Sequence, residues 1–308
     1  MSKPESLIDR RLLITGGNGF IGRRVALLAH RLGAKVTVLV RRGGSTSSGD
    51  VAKVVADVCD GPALARAFEE ASPELLVHAA GVADGRQLPE LTMPMVQLNV
   101  VAGGYLLESA RKAGVKRVVL LGSSGEYGEW QEPIAEDCRA TPLDPYSATK
   151  LAATELALTY HRSFGLSCTV VRPFLVYGPG EQETRLLSSL FALARRGGGT
   201  APFTPGEQVR DFVHVDDVAE GILRALVSPA AAGQVLNLGT GVGTRVRDAI
   251  ELAAAIAGNV VVPAFGTLPY RRGEARSVVA DMTRTKRVLE WSPRVTLRDG
   301  LRGLWESR

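Results

Sequence analysis

Between Arg11 and about Arg172 the chain alternates short, β-branched apolar runs with longer stretches whose apolar residues recur at helical spacing. Strand-sized runs fall at Leu12-Leu13-Ile14, Lys35–Val40, Val54-Val55-Ala56, Leu75–Ala79, Val118–Leu121 and Ser167–Val171. Helical spacing covers Ile21–Leu32, Ala63–Ala71, Met95–Ala113 and Tyr146–Phe164. Parallel strands need crossover helices, and runs without a period of two suit strands buried on both faces. The alternation therefore predicts an α/β fold, with a doubly wound parallel sheet between two layers of helix.

After Arg172 the pattern breaks at Pro173, Pro179, Pro202, Pro205 and several glycines. The expected organisation is a main domain over residues 1–172, rejoined by 211–239 as a helix and a strand of the same sheet. A smaller, discontinuous cap takes 173–210 and 262–308. Only Met1–Arg10 and Gly43–Gly49 have a composition compatible with disorder.

Composition narrows the function classes. The formal net charge is +5, yet no run of five Lys or Arg occurs and no aromatic-interleaved basic stripe, so a nucleic-acid partner is not expected. Arginines gathered in a pocket for anionic phosphates are the plainer reading. Cys59, Cys138 and Cys168 lie far apart, and His30, His78, His161 and His214 form no HExxH or HxH pair, so no disulfide framework and no metal site are expected. A polar N-terminus and strand-sized apolar runs predict no signal peptide and no membrane partner, and the cytoplasm is the expected compartment.

Thr15-Gly16-Gly17-Asn18-Gly19-Phe20-Ile21-Gly22 lies between the first strand and the first helix. Glycines at this spacing permit a tight turn, close approach of backbone to a pyrophosphate and close packing of helix on strand, while the helix start offers N–H groups to phosphate. A dinucleotide site of Rossmann type is the expectation, with Gly16, Gly19, Phe20, Ile21 and Gly22 in contact with the cofactor. A ribose-binding carboxylate is normally found near the end of the second strand. Here that strand ends Val40-Arg41-Arg42, with no Asp or Glu from Lys35 to Gly49. Arg41 and Arg42 suit a 2′-phosphate, which favours NADP(H) over NAD(H); two solvated surface arginines are the other reading. Asp57 and Val58 are expected beside the adenine, and Ala79, Ala80 and Gly81 along the cofactor channel, with plain strand-end packing as the alternative.

Tyr146 and Lys150 stand four residues apart at a helix start opened by Pro145, and so share one face. An ammonium beside a phenol favours the phenolate, letting tyrosine exchange a proton nearer neutrality. Leu121-Gly122-Ser123-Ser124 ends the preceding strand, where a hydroxyl can bond the same substrate oxygen.

Taken in order, several segments resemble the extended short-chain dehydrogenase/reductases that epimerise, dehydrate or reduce nucleotide sugars. They are Gly16–Gly22; Asn99; Gly122-Ser123-Ser124-Gly125-Glu126-Tyr127-Gly128; Tyr146-Ser147-Ala148-Thr149-Lys150; Arg172-Pro173-Phe174 running to Tyr177-Gly178-Pro179-Gly180; Arg210–Asp217; and Trp291-Ser292-Pro293 with Leu297–Leu301. The resemblance implies Tyr146 as acid/base and Lys150 as the residue that orients the nicotinamide ribose and lowers the tyrosine pKa. It also implies Ser123 as the catalytic hydroxyl, with Ser124 as its alternate, and Asn99 in the cofactor site. Arg210 and Arg271 match arginines that contact the nucleotide of the substrate. Leu175 replaces the asparagine usual before the Tyr-Gly-Pro turn and removes a polar contact to substrate phosphate. Ser124 and Gly125 stand where dehydratases carry acids, Glu126 falling one place later, which speaks against dehydration.

The segment Gly122–Gly128 most resembles reductases of 4-keto-6-deoxy sugars, and Arg41-Arg42 suits NADPH. Reduction of a 4-keto-6-deoxyhexose attached to a nucleoside diphosphate is thus the first expectation, and NAD-dependent 4-epimerisation the second. The resemblance further implies a homodimer, paired through Met95–Ala113 and Tyr146–Phe164 as a four-helix bundle.

Overall fold

The computed structural model describes residues 6–41, 51–82, 89–131, 133–271 and 273–307. Arg42 and Gly43–Gly49 lie outside these residues. Seven strands form the main sheet: β1 (Arg11–Thr15), β2 (Lys35–Val40), β3 (Ala52–Val55), β4 (Leu75–His78), β5 (Arg117–Leu121), β6 (Cys168–Pro173) and, from later in the chain, β10 (Val235–Leu238). Their order is β10-β6-β5-β4-β1-β2-β3 and every pairing is parallel. The order reverses between β1 and β4, so the strand ends beside that switch point open a crevice for a ligand.

Helices cover both faces: α1 (Phe20–Arg31), α2 (Gly61–Ala71), a long segment described next, α5 (Pro145–Phe164) and α7 (Val215–Val227). One apolar cluster lies between the sheet and α1 with α7, and a second between the sheet and α2, the long segment and α5. The sequence predicts a continuous helix over Met95–Ala113. Instead it starts at Thr92–Met95 (α3), widens to a π turn over Val96–Val101 and continues as Ala102–Lys112 (α4). Single π turns inside helices concentrate at functional sites, and Asn99 lies in this one. Residues 6–10 also depart from the expected disorder, because Leu7 is buried in the first cluster and the Arg10 carbonyl accepts the Lys35 N–H at 2.9 Å.

The cap has its own core. It is built from β7 (Leu175–Tyr177), α6 (Leu186–Arg195), β8 (Gly199–Phe203), β9 (Val209–His214), β11 (Gly243–Arg245), α8 (Val246–Ile256), β12 (Val261–Phe265), β13 (Ser277–Val278) and α10 (Leu297–Glu306). Tyr177, Leu190, Phe191, Ile250, Leu301 and Leu304 form the heart of its cluster. Three boundaries differ from expectation. Residues 211–214, expected to rejoin the main sheet, belong instead to β9, which pairs with β7, β11 and β13 of the cap. Residues 246–256, expected in neither cap piece, pack into the cap. The last short helix, α9 (Thr283–Leu289), lies within the piece assigned to the cap, yet Val288, Leu289 and Trp291 join the main-sheet core. Among the described residues no helix is long and apolar enough to cross a membrane.

Candidate functional site

The turn after β1 is shaped by contacts that only glycine permits. Gly16 has φ of +70°, and a Cβ there would lie 2.5–2.6 Å from the backbone of Ala79 and Ala80. The turn is thus pressed against the end of β4, with Ala79 N–H donating to the Thr15 carbonyl at 3.1 Å. A Cβ on Gly22 would strike the Gly16 carbonyl. Gly19 caps α1 without any side chain, and the first turn carries no acid. That leaves a compact backbone cradle with a helix start behind it, which suits a pyrophosphate. Phe20 and Ile21, both half-buried, complete the turn.

Beyond this cradle the predicted cofactor residues divide. Arg41 is exposed just past β2, and its charge reaches Cys59. Asp57 is exposed and its Oδ1 accepts the Cys59 N–H at 2.9 Å. Arg41 and Asp57 therefore meet around Cys59, at one end of the strand crevice. Val58 is different: its side chain is buried in the apolar core, leaving only its backbone for a ligand.

At the other end, Gly81 follows β4. A Cβ there would lie 3.0 Å from Asn99 Oδ1 and 3.7 Å from Lys150 Nζ. The π turn aims Asn99 inward, where Oδ1 accepts the Val82 N–H at 3.1 Å and Nδ2 donates to Thr149 Oγ1 at 2.9 Å. Asn99 thereby ties the end of β4 to the first turns of α5. His78 is buried beneath them, sharing a 2.6 Å hydrogen bond between Nδ1 and Thr15 Oγ1.

Helix α5 starts sharply. Asp144 accepts the Ser147 N–H and hydroxyl, each at 2.9 Å, and Pro145 takes the first helical position. This places Tyr146 and Lys150 on one face beside the end of β5. Burial, first among several influences, pushes the Tyr146 phenol up to about 12. A hydrogen bond from Ser123 works against burial, as does Arg185, while Glu126 and Asp144 reinforce it. Lys150 does not rank among these leading influences. Burial also lowers the Lys150 ammonium, to about 8, with Glu126 opposing. Ser123 Oγ accepts the Gly125 N–H at 3.1 Å, which leaves its O–H free to donate. Ser124 begins the 3-10 turn Ser124–Tyr127.

Two further carboxylates complete the site: Glu126, which the sequence reading noted only as displaced from the dehydratase position, and Glu274, which it did not name. Glu126 is wholly buried and is bound by Arg172, Thr154 and the Ser123 N–H. Glu274 gathers the predicted substrate arginines: its Oε1 lies 3.4 Å from Arg210 Nη2 and its Oε2 accepts the Arg271 N–H at 3.2 Å. Leu175, at the start of β7, is 39% exposed and offers apolar surface where an amide is usual. Among the described residues no group of three His, Cys, Asp or Glu could hold a metal ion.

A glycine cradle lies at the switch point and a half-buried Ser–Tyr pair with a buried lysine at the next strand ends; over residues 12–239 the sequence matches the model of the NAD dependent epimerase/dehydratase family. The chain belongs to this family. It is an enzyme of the extended short-chain dehydrogenase/reductase type. A UDP-glucose 4-epimerase from Mycolicibacterium smegmatis is 34% identical over 305 residues, covering 94% of this chain and 96% of the relative. A GDP-6-deoxy-D-mannose reductase from Pseudomonas aeruginosa is 30% identical, covering 98% of this chain and 99% of the relative. Among solved structures, MoeE5 in complex with UDP-glucuronic acid and NAD superposes with a TM-score of 0.87 at 30% identity, covering 96% of this chain and 97% of that one.

Proposed function

We propose that the chain is an NAD-dependent 4-epimerase acting on a UDP-hexose. The observation that carries this reading is the convergence of Ser123, Tyr146 and Lys150 beside the ends of β4 and β5, where the Ser123 side chain acts on the Tyr146 phenol and Lys150 Nζ lies 3.7 Å from where a Cβ on Gly81 would stand. The backbone of Gly16, Gly19 and Gly22 would hold the pyrophosphate, while Asn99 and Lys150 would hold the nicotinamide half. When bound, NAD supplies the acceptor and donor for hydride at C4.

Tyr146 takes the proton of the C4 hydroxyl as hydride leaves and returns it after the sugar presents its other face, so nothing is consumed. The Ser123 proton steadies the same oxygen. Positive charge from Arg185 favours the phenolate that burial disfavours. Arg210 and Arg271 would meet the nucleotide diphosphate, with Glu274 aligning them.

Dehydration is disfavoured by geometry. The positions following Ser123 carry no acid, and Glu126, the nearest, is turned inward against Arg172 with no exposed surface. Between reduction and epimerisation, the full-length likeness to a UDP-glucose 4-epimerase and the family's NAD dependence reverse the order expected from the segment Gly122–Gly128 alone. Reduction of a 4-keto-6-deoxyhexose with NADPH stays as the second reading, because Arg41 is exposed just past β2, where a 2′-phosphate would lie.

Identifying the dinucleotide that purifies with the protein separates the two readings. Tightly held NAD, with interconversion of UDP-glucose and UDP-galactose and no net cofactor consumption, supports epimerisation. Stoichiometric NADPH oxidation with a 4-keto sugar supports reduction. Tyr146→Phe is expected to lower turnover by about three orders of magnitude with dinucleotide affinity nearly unchanged; parental turnover in this variant would overturn both readings. A homodimer through the long helices belongs to the same proposal: α5 exposes Ala148, Ala152, Glu155 and Thr159 along one side, with Val101 and Phe164 exposed nearby. Light scattering after gel filtration reads its mass.

A further inference from the structure

Glu126 is fully buried and bound through both carboxylate oxygens, and the reaction as described does not use it. Its Oε1 accepts the Ser123 N–H at 2.8 Å. Its Oε2 accepts Arg172 Nε at 2.8 Å, Arg172 Nη2 at 2.7 Å and Thr154 Oγ1 at 2.9 Å. Neither partner of the ion pair is more than 5% exposed. Arg172 lies in β6, its guanidinium 4.3 Å from the centroid of the Tyr127 ring. One carboxylate therefore joins β6, α5 and the residue at the end of β5 that carries the reactive hydroxyl. A lone buried carboxylate is strongly unfavourable, and a matched, fully hydrogen-bonded pair makes it tolerable without itself favouring the fold. An apolar pair of similar volume would hold these elements together as well, so packing does not account for the charge.

We propose that Glu126 is a positioning residue, holding Ser123 in the orientation from which its hydroxyl reaches Tyr146, with Arg172 as the counter-ion. The Ser123 backbone is fixed from both sides: its N–H is held by Glu126, and its hydroxyl accepts the Gly125 N–H two residues on. The position of the Ser123 oxygen is thereby held while its O–H stays available to donate. The same carboxylate faces both titrating groups of the site, and its negative charge favours the protonated forms of Tyr146 and Lys150. The other charged groups acting on Tyr146 are Arg185 and Asp144; His78 faces Lys150 from β4. Glu126 thus sets both the position of the hydroxyl and the local charge.

The inference rests on the reading of Ser123 and Tyr146 given above, so Tyr146→Phe is measured alongside. Two variants separate reach from charge. Glu126→Asp keeps the charge and is one methylene shorter, so kcat on UDP-glucose should fall about tenfold with KM and the acid limb of the pH profile unmoved. Glu126→Gln keeps the reach and removes the charge. The acid limb, which reports the phenol losing its proton, should move down by roughly half a pH unit or more. In the protein without added ligand, the phenolate absorbance of Tyr146 (Tyr146→Phe subtracted) should appear at correspondingly lower pH.

A purely structural role would lower the fraction of folded protein but would leave the acid limb and the phenolate titration in place. If Glu126→Gln does not fold, the pair Glu126→Gln with Arg172→Gln removes both buried charges together and should shift the limb in the same direction. Parental kcat in Glu126→Asp and an unmoved titration in the glutamine variants, with Tyr146→Phe inactive, would overturn the role of Glu126 alone. An active Tyr146→Phe would overturn the reading beneath it.

Discussion

His78 shows how one buried ring links the cofactor site to stability. Burial first, then the nearby Lys150, lowers its pKa to about 3, so the folded protein holds it neutral against Thr15. An unfolded chain protonates the same ring near 6.5. Below that pH the unfolded state binds the extra proton, so stability present at neutrality is lost as pH falls from about 6.5 toward 3. At pH 5 this single group should cost about 2 kcal/mol. Urea midpoints at pH 7 and pH 5 check it: His78→Gln, which keeps a partner for Thr15, should lose clearly less stability between the two. An equal loss in both proteins would show that other groups govern the acid response. Placements set by local spacing were legible without a structure: Tyr146 and Lys150 share a helix face, and Ser123 follows a strand end. Glu126 and Glu274 were not, because their partners Arg172 and Arg210 lie 46 and 64 residues away and pairing across that distance leaves no periodic trace.

At the scale of elements, strand and helix positions followed from apolar pattern, while the π turn over Val96–Val101 did not. The run from Met95 to Ala113 is apolar at helical spacing throughout, and one additional residue in a turn changes that spacing too little to register. What specifies the turn is tertiary: Asn99 must meet Val82 and Thr149 at once. The start of α5 is a contrasting case, written locally in Asp144-Pro145. Asp144 does two jobs there, capping the helix and adding negative charge near Tyr146. Replacement separates them. Asp144→Ala should cost about 1 kcal/mol, a fall in Tm of about 2 °C for a chain of this size. Asp144→Asn should keep most of that stability and let the phenol ionise at lower pH. If both variants melt alike, the side-chain cap contributes nothing and Pro145 alone fixes the helix start.

Across the whole molecule, the parallel sheet was readable because six of its seven strands, β1 to β6, lie in one continuous stretch, whereas the cap is assembled from separated pieces. Helix α8 completes the cap core although its sequence gives no sign of which core it joins, and α9 returns to the main sheet. The two bodies are fastened by Asp211. It belongs to β9 of the cap, is fully buried, and accepts the Thr240 N–H at 2.8 Å, the Thr240 hydroxyl at 2.6 Å, the Gly241 N–H at 2.9 Å and the Ala280 N–H at 3.2 Å. Thr240 and Gly241 follow directly on β10, so this carboxylate anchors the cap sheet to the last strand of the main sheet. Asp211→Ala leaves four donors without their acceptor, a cost of about 3 kcal/mol or more. The loss falls on the junction, since the apolar clusters on either side are complete without it. Calorimetry of this variant should therefore resolve two transitions in place of one. On the proposed reading, dinucleotide affinity, carried by the main sheet, should persist, while affinity for UDP-glucose, which that reading assigns to Arg210 on the same strand, should fall more than about tenfold. A single transition shifted as a unit, with both ligands weakened equally, would mean that the two cores fold as one body and that Asp211 serves the whole of it.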